Sequence, residues 1–266
     1  MRLLSRIFVA LVIGFLLLPV FMVVITSFSS SPVLVFPPRG LTTAWYSNIS
    51  PEFFEALRVS LVVGVSTAVL ATVIGTPAAL AIVRGRFPGK RLVATMFLSP
   101  LMVSTLVIGV GLFQYVNTLW DIFRVSLGGT IPALIAGQLS FTIPFVIRAV
   151  IAGQAHFDRS LEEASINLGA RPVETFFRVT LPLLLPGVLS GAIFAFLTSF
   201  DDIPVALFVG GGNATTLPVK IYTSVEFSID ASVMAIAAIV ICGSLLCVLI
   251  LDRLVGVDKL MGTVRT

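Results

Sequence analysis

The chain has 266 residues, of which 57% are hydrophobic and 11% charged, with a mean hydropathy of +1.09. A water-soluble domain carries about 25% charged residues, so this chain lacks the polar surface to cover itself in water and reads as an all-α integral membrane protein. Its net charge of +4 comes with no basic stripe interleaved with aromatics, which excludes nucleic acid; one histidine, His156, and two cysteines, Cys242 and Cys247, exclude a Cys/His metal cluster or a disulfide framework.

A bilayer core about 30 Å thick needs roughly 20 apolar residues as helix, because no backbone group can be left unpaired in hydrocarbon. Six uncharged runs are predicted to span: Ile7 to Phe28, Val59 to Val83, Leu92 to Leu119, Ile131 to Ile151 with Arg148 near its end, Val179 to Phe200, and Ala231 to Leu251. They form one transmembrane domain over residues 1–266. The first run follows Arg2 and Arg6 as a signal peptide would, but it is too long for that and no cleavage pattern follows, so it is expected to be a retained span. Pro77, Pro100, Pro144, Pro182 and Pro186 fall within or at the ends of runs and are points of kinking.

Between the second and third runs, Gly85-Arg86-Phe87-Pro88-Gly89-Lys90-Arg91 is the nearest thing to a phosphate-binding loop. Its glycines are one residue too close and Arg91 stands where a Ser or Thr would hold magnesium, so it reads as a tight basic turn. The third and fourth runs carry Gln114, Asn117, Gln138, Ser140 and Thr142, neutral groups suited to lining a pore or to bonding between helices.

Between the fourth and fifth runs lies a loop of about residues 152–178, too long for a mere connector. Ser160-Leu161-Glu162-Glu163 fits a capping box, with the Ser160 hydroxyl taking the Glu163 amide. Leu161, Ala164 or Ser165, and Leu168 recur at helical spacing, and Gly169 suits the left-handed residue that ends a helix. Pro172 is placed to open a second helix that re-enters the membrane at Leu181-Pro182. Acidic Glu162 and Glu163 do not suit an interfacial helix on lipid headgroups; an acidic face beside a small apolar one suits docking into a protein groove. His156, in the same loop, is assigned to solvent or to that interface.

Beyond the fifth run, Asp201 and Asp202 offer adjacent carboxylates that can bind passing ammonium groups, or cap a short helix opening near Pro204. Glu226 and Asp230 are weaker candidates of the same kind. The stretch Ile203 to Val219 is interrupted by Gly210, Gly211, Gly212 and Asn213 and is expected to be a loop or re-entrant segment. Gly187 and Gly191, four apart, allow close helix packing within the subunit or across a dimer.

Six spans put both termini on one side. Of 17 basic residues, 13 fall there, and only Arg39, Arg58, Arg124 and Lys220 lie opposite, so the termini are expected in the cytoplasm.

The residues of the long loop also carry a resemblance. Glu163-Ala164-Ser165, Gly169 and Val179-Thr180-Leu181-Pro182 resemble, in spacing throughout, the EAA motif of ABC importer permeases, with Ser165 for the second alanine and Val179 for isoleucine. Pro37-Pro38-Arg39-Gly40-Leu41-Thr42, Trp45-Tyr46, Ser199-Phe200-Asp201-Asp202 and Thr216-Leu217-Pro218-Val219 are similar to the second permease subunit of spermidine/putrescine-type importers. Relatives of that subgroup also move opines, aminophosphonates, thiamine or ferric iron. The resemblance implies a type I importer permease fold in the bacterial inner membrane. It further implies a coupling helix formed by Ser160, Leu161, Glu162, Glu163, Ala164, Ser165, Leu168 and Gly169 ahead of Leu181 and Pro182. Its implied partners are a homologous permease, two ATP-binding subunits and an external or periplasmic solute-binding protein. ATP and magnesium would belong to the ATPase, with no cofactor or catalytic residue in this chain. Asp201, Asp202, Gln114, Asn117 and Gln138 are the expected substrate path. A stand-alone secondary transporter would show an ionisable residue mid-span, and the six runs hold none there.

Overall fold

The computed structural model describes residues 2–31, 36–38, 40–124, 126–154, 157–227 and 231–255. Among these the chain is helical, with two isolated β-bridges, Ser29 to Leu41 and Gly211 to Ala214. Twelve helices follow in order: α1 Arg2–Thr26, α2 Ala44–Ser47, α3 Pro51–Arg84, α4 Lys90–Leu98, α5 Thr105–Phe123, α6 Ile131–Gln154, α7 Ser160–Asn167, α8 Pro172–Thr175, α9 Leu181–Phe200, α10 Pro204–Val209, α11 Leu217–Phe227 and α12 Ala231–Val255. Five stretches are long and apolar enough to cross a membrane: Ser5–Thr26, Pro51–Arg84, Thr105–Phe123, Ile131–Gln154 and Pro172–Phe200. The helix α12 has 25 residues, and its segment Ser232–Leu246 is apolar.

The third expected span is corrected. The run Leu92 to Leu119 is not one helix: α4 ends at Leu98, a 3₁₀ turn occupies Ser99–Met102, and Val103 is extended before α5 begins. Pro100 supplies the break, since it has no amide to continue the ladder, and hydropathy alone cannot register that loss. The basic turn ahead of α4 is as expected. Gly89 adopts φ +78°, and the Lys90 ammonium donates to the Val83 carbonyl at 2.9 Å, satisfying an orphan acceptor at the end of α3.

The described residues divide into two compact units, 2–56 with 219–252 and 57–218 with 253–255. In the first unit the segment after α1 folds back on it. The Ser27 and Tyr46 hydroxyls meet at 2.6 Å, the Trp45 indole donates to the Ser29 carbonyl at 2.8 Å, and Thr42 donates its amide to Phe28 at 2.8 Å. Glu52, in the opening turn of α3, pairs with Lys220 of α11.

In the second unit α6 is the central helix, and half of its most apolar stretch is buried. Small residues let its neighbours approach, which is how helices associate where lipid is as apolar as leucine. A Cβ on Gly191 of α9 would stand 2.9 Å from the Val146 Cα, one on Gly187 3.1 Å from the Ala149 carbonyl oxygen, and one on Gly75 of α3 2.9 Å from the Val146 side chain. The Gly187/Gly191 pair therefore packs within the subunit. On another side of α6, a Cβ on Gly137 would meet Leu112 of α5 and Val205 of α10 at 3.1 and 3.2 Å. Ala71, Ala79, Val146, Ile147, Val150, Leu184 and Ala195 fill the core that results.

Candidate functional site

At one end of α6 and α9 the loop folds around α7. The helix matches the expected span, but not through the expected cap: Ser160 makes no capping bond, and the Asp158 carboxylate instead accepts the Ser160 amide at 2.9 Å. Asp158 and Ser160 both belong to the capping class; the ionised carboxylate is the stronger acceptor and sits two residues ahead, the spacing that reaches an orphan amide. That bond holds the exposed Asp158 carboxyl below the usual carboxylate range. The other end of α7 closes as expected. Gly169 has φ +92°, its amide bonds Ile166 at 2.9 Å, and the Ala170 amide bonds Ser165 at 3.2 Å, the paired pattern of a Schellman ending.

Two faces of α7 differ. Inward, the Ser165 hydroxyl meets the buried Thr175 hydroxyl at 3.1 Å, and the Glu162 carboxylate accepts the hydroxyl of Thr180, which is 1% exposed. The same Glu162 oxygen lies 2.9 Å from an Arg84 guanidinium nitrogen at the end of α3, as an ion pair without hydrogen-bond alignment. Arg84 also lies over the Phe157 ring, 5.4 Å from its centroid. Outward, Glu163 and Ala164 are exposed, Leu161 and Ile166 are half exposed, and Leu168 is 90% exposed. Leu161, Ala164 and Leu168 thus form an uncovered apolar stripe with an acidic neighbour. Thr180 closes a π-helical turn, Phe176–Thr180, that leads directly into Leu181 and Pro182 of α9.

At the other end of α9, the two aspartates separate. Asp201 is exposed. Asp202 is 6% exposed, and its carboxylate accepts the Ala206 amide at 3.0 Å, so it caps α10. Burial pushes the Asp202 carboxyl up to about 6, aided by the Asp201 charge and opposed by the Ala206 and Val205 amides.

Of the two roles open to Gln138, lining a pore or bonding between helices, the structure shows the second. It is fully buried; its amide donates to the Ser199 carbonyl at 3.2 Å and its oxygen accepts the Ser199 hydroxyl, joining α6 to α9. Thr142 is buried beside it and bonds the Gln138 carbonyl at 2.8 Å. Gln114 and Asn117 are exposed on α5. Their α5 neighbours Thr118 and Asp121 are exposed on the same side. The stretch after Asp202 forms α10, then a glycine turn bridged between Gly211 and Ala214, rather than a plain loop. Glu226 is exposed at the end of α11, while His156 and Asp230 lie outside the described residues.

Sequence reasoning missed Arg84, Thr175 and Thr180, counting the first only as a topology charge. Nothing local links Arg84 to a carboxylate 78 positions away.

Three comparisons bear on this arrangement. Residues 2–257 match the family model described as the binding-protein-dependent transport system inner membrane component. The chain is 33% identical over 238 residues to the putrescine transport system permease protein PotI of Escherichia coli K12, covering 88% of this chain and 84% of that relative. It is 32% identical over 263 residues to the spermidine/putrescine transport system permease protein PotC of the same organism, covering 98% and 97%. A solved bacterial ABC transporter that imports the acidic polysaccharide alginate has a chain of the same fold, with a TM-score of 0.74 at 15% identity and 95% coverage of both. Apolar spans, a family match over nearly the whole length and relatives aligned over most of theirs lead to one assignment: the chain belongs to the inner-membrane permease components of binding-protein-dependent transport systems, a family of transport subunits rather than enzymes.

Proposed function

We propose that this chain forms half of the translocation pore of an ATP-driven importer for a small cationic solute of the polyamine class. It crosses the membrane six times with both termini in the cytoplasm, pairs with a homologous permease, and receives solute from an external binding protein. Two ATPase subunits, which hold the ATP and magnesium, grip α7 as a coupling helix. The observation that carries this reading is the uncovered Leu161, Ala164 and Leu168 stripe on a helix whose opposite face is anchored. A short helix capped at both ends and pinned from behind transmits a push as a rigid body and displays its free side to a partner.

The names of PotI and PotC support the solute class. Asp201 supports it independently, as an exposed carboxylate at the end of α9 remote from α7. Reconstitution with a cognate ATPase, second permease and binding protein tests the reading. ATP-dependent uptake of putrescine or spermidine is expected, and none without the ATPase. Solute flux by the chain alone, under an ion gradient, would overturn it.

A further inference from the structure

The usual route for a push on α7 is along the chain, back into α6 and forward into α9. The structure holds a second route. Glu162 faces away from the uncovered stripe and gathers two groups from elsewhere, the Arg84 guanidinium at the end of α3 and the Thr180 hydroxyl at the head of α9. The pair is partly shielded, with side chains 30% and 16% exposed for Arg84 and Glu162, so water screens it less than a surface pair. Phe157, ahead of α7, covers the guanidinium from the other side and packs on the core. Arg84 is therefore held by both α7 and the segment that feeds it.

We infer that Arg84, Glu162 and Thr180 form a strut by which displacement of α7 is delivered to α3 as well as to α9. Arg84 and Glu162 are positioning residues: neither reaches the outward face of α7 nor the Asp201 end of α9. The geometry explains why Glu162 and Glu163, adjacent and chemically alike, are not equivalent. Glu162 is committed inside the subunit, and Glu163 is free to meet a partner. The inference rests on α7 being the element an ATPase moves. Its own content is that α3 moves with it.

The test uses the full chain assembled with its permease and ATPase partners in lipid. Spin labels at Arg86→Cys and Asn167→Cys, both exposed positions, report the distance between the end of α3 and α7. With native Arg84 and Glu162 that distance is expected to stay narrow and unchanged when ATP binds. In Glu162→Gln, which keeps an acceptor for Thr180 but no charge for Arg84, it is expected to broaden and shift with ATP. Solute moved per ATP hydrolysed is expected to fall about tenfold in Glu162→Gln, a coupling loss of the usual size between linked sites. The exchange Arg84→Glu with Glu162→Arg is expected to recover at least half of that loss, which a merely structural role for either residue does not predict. An unaltered distance and unaltered transport ratio in Glu162→Gln would overturn the strut. Failure of any ATPase to copurify with the native chain would instead count against the coupling reading, and the label distance in native and Glu162→Gln chains in lipid would still decide whether the pair ties α3 to α7.

Discussion

The two ends of α9 are held by different chemistry. At the Ser199 end, Gln138 and Ser199 exchange two neutral hydrogen bonds in a fully buried setting. At the Thr180 end, the anchor is Glu162, a partly exposed carboxylate that also faces Arg84. These buried neutral bonds, with the Asp202 carboxylate as a further neighbour of Gln138, fix α6 against α9. The partly shielded Glu162 carboxylate instead ties α7 to α3 and α9 at once, through a charge as well as a hydrogen bond. The difference teaches which end of one helix is built to stay and which is built to be pushed.

Five substitutions sharpen or break that contrast. Gly191→Leu attacks the seam between the two ends, where a Cβ already stands 2.9 Å from the Val146 Cα. Overpacking against backbone is expected to cost about 3 kcal/mol or more, read as a collapse of the thermal midpoint in detergent. Ser199→Ala leaves the Gln138 side chain buried without its hydroxyl donor and is expected to cost about 1–3 kcal/mol. If Thr180→Val, at the other end, lowered the midpoint as far, the two ends would be equivalent and the contrast would fail.

Asp202 gives a pH signature at the Ser199 end. Its carboxyl is raised to about 6 from an ordinary value of 3.8, so the folded state binds the proton more tightly than the unfolded state does. Stability is therefore expected to fall as pH rises from about 4 to about 6, by at most about 3 kcal/mol. Asp202→Asn, which keeps a cap for α10, is expected to flatten this window; a window of the same depth in the variant would assign the titration elsewhere. The smallest effect is at α7. Asp158→Ala removes the carboxylate that accepts the Ser160 amide and is expected to loosen the start of the helix, seen as faster amide exchange over Ser160–Asn167 with an unchanged midpoint.

Five apolar spans were legible in outline because hydropathy reports residence in lipid directly, and α7 was legible because Gly169 and the Leu161, Ala164, Leu168 spacing are local signals. The Asp158 cap was not legible, because the capping-box pattern points to Ser160 alone. The break at Pro100 was hidden because the residues on both sides are equally apolar. Gln138 was ambiguous for a deeper reason: the same amide that lines a pore can satisfy a neighbouring helix, and the choice depends on Ser199, 61 positions away. The Arg84 to Glu162 pair has no local trace at all.

The π turn at Phe176–Thr180 has a consequence for counting residues. Along a regular α-helix, Thr175 and Thr180 would point about 140° apart, and the wider turn reduces this to about 50°. Only then do both hydroxyls meet α7, Thr175 at Ser165 and Thr180 at Glu162, in an order that runs opposite to the sequence. The stretch from Gly169 to Leu181 thus contains one residue more than a plain helical turn would need, and straightening it into a regular α-helix with that residue kept would rotate one hydroxyl out of reach. The interval between the glycine and the Leu-Pro pair behaves as the tooth spacing of a gear, fixed by the part it meshes with.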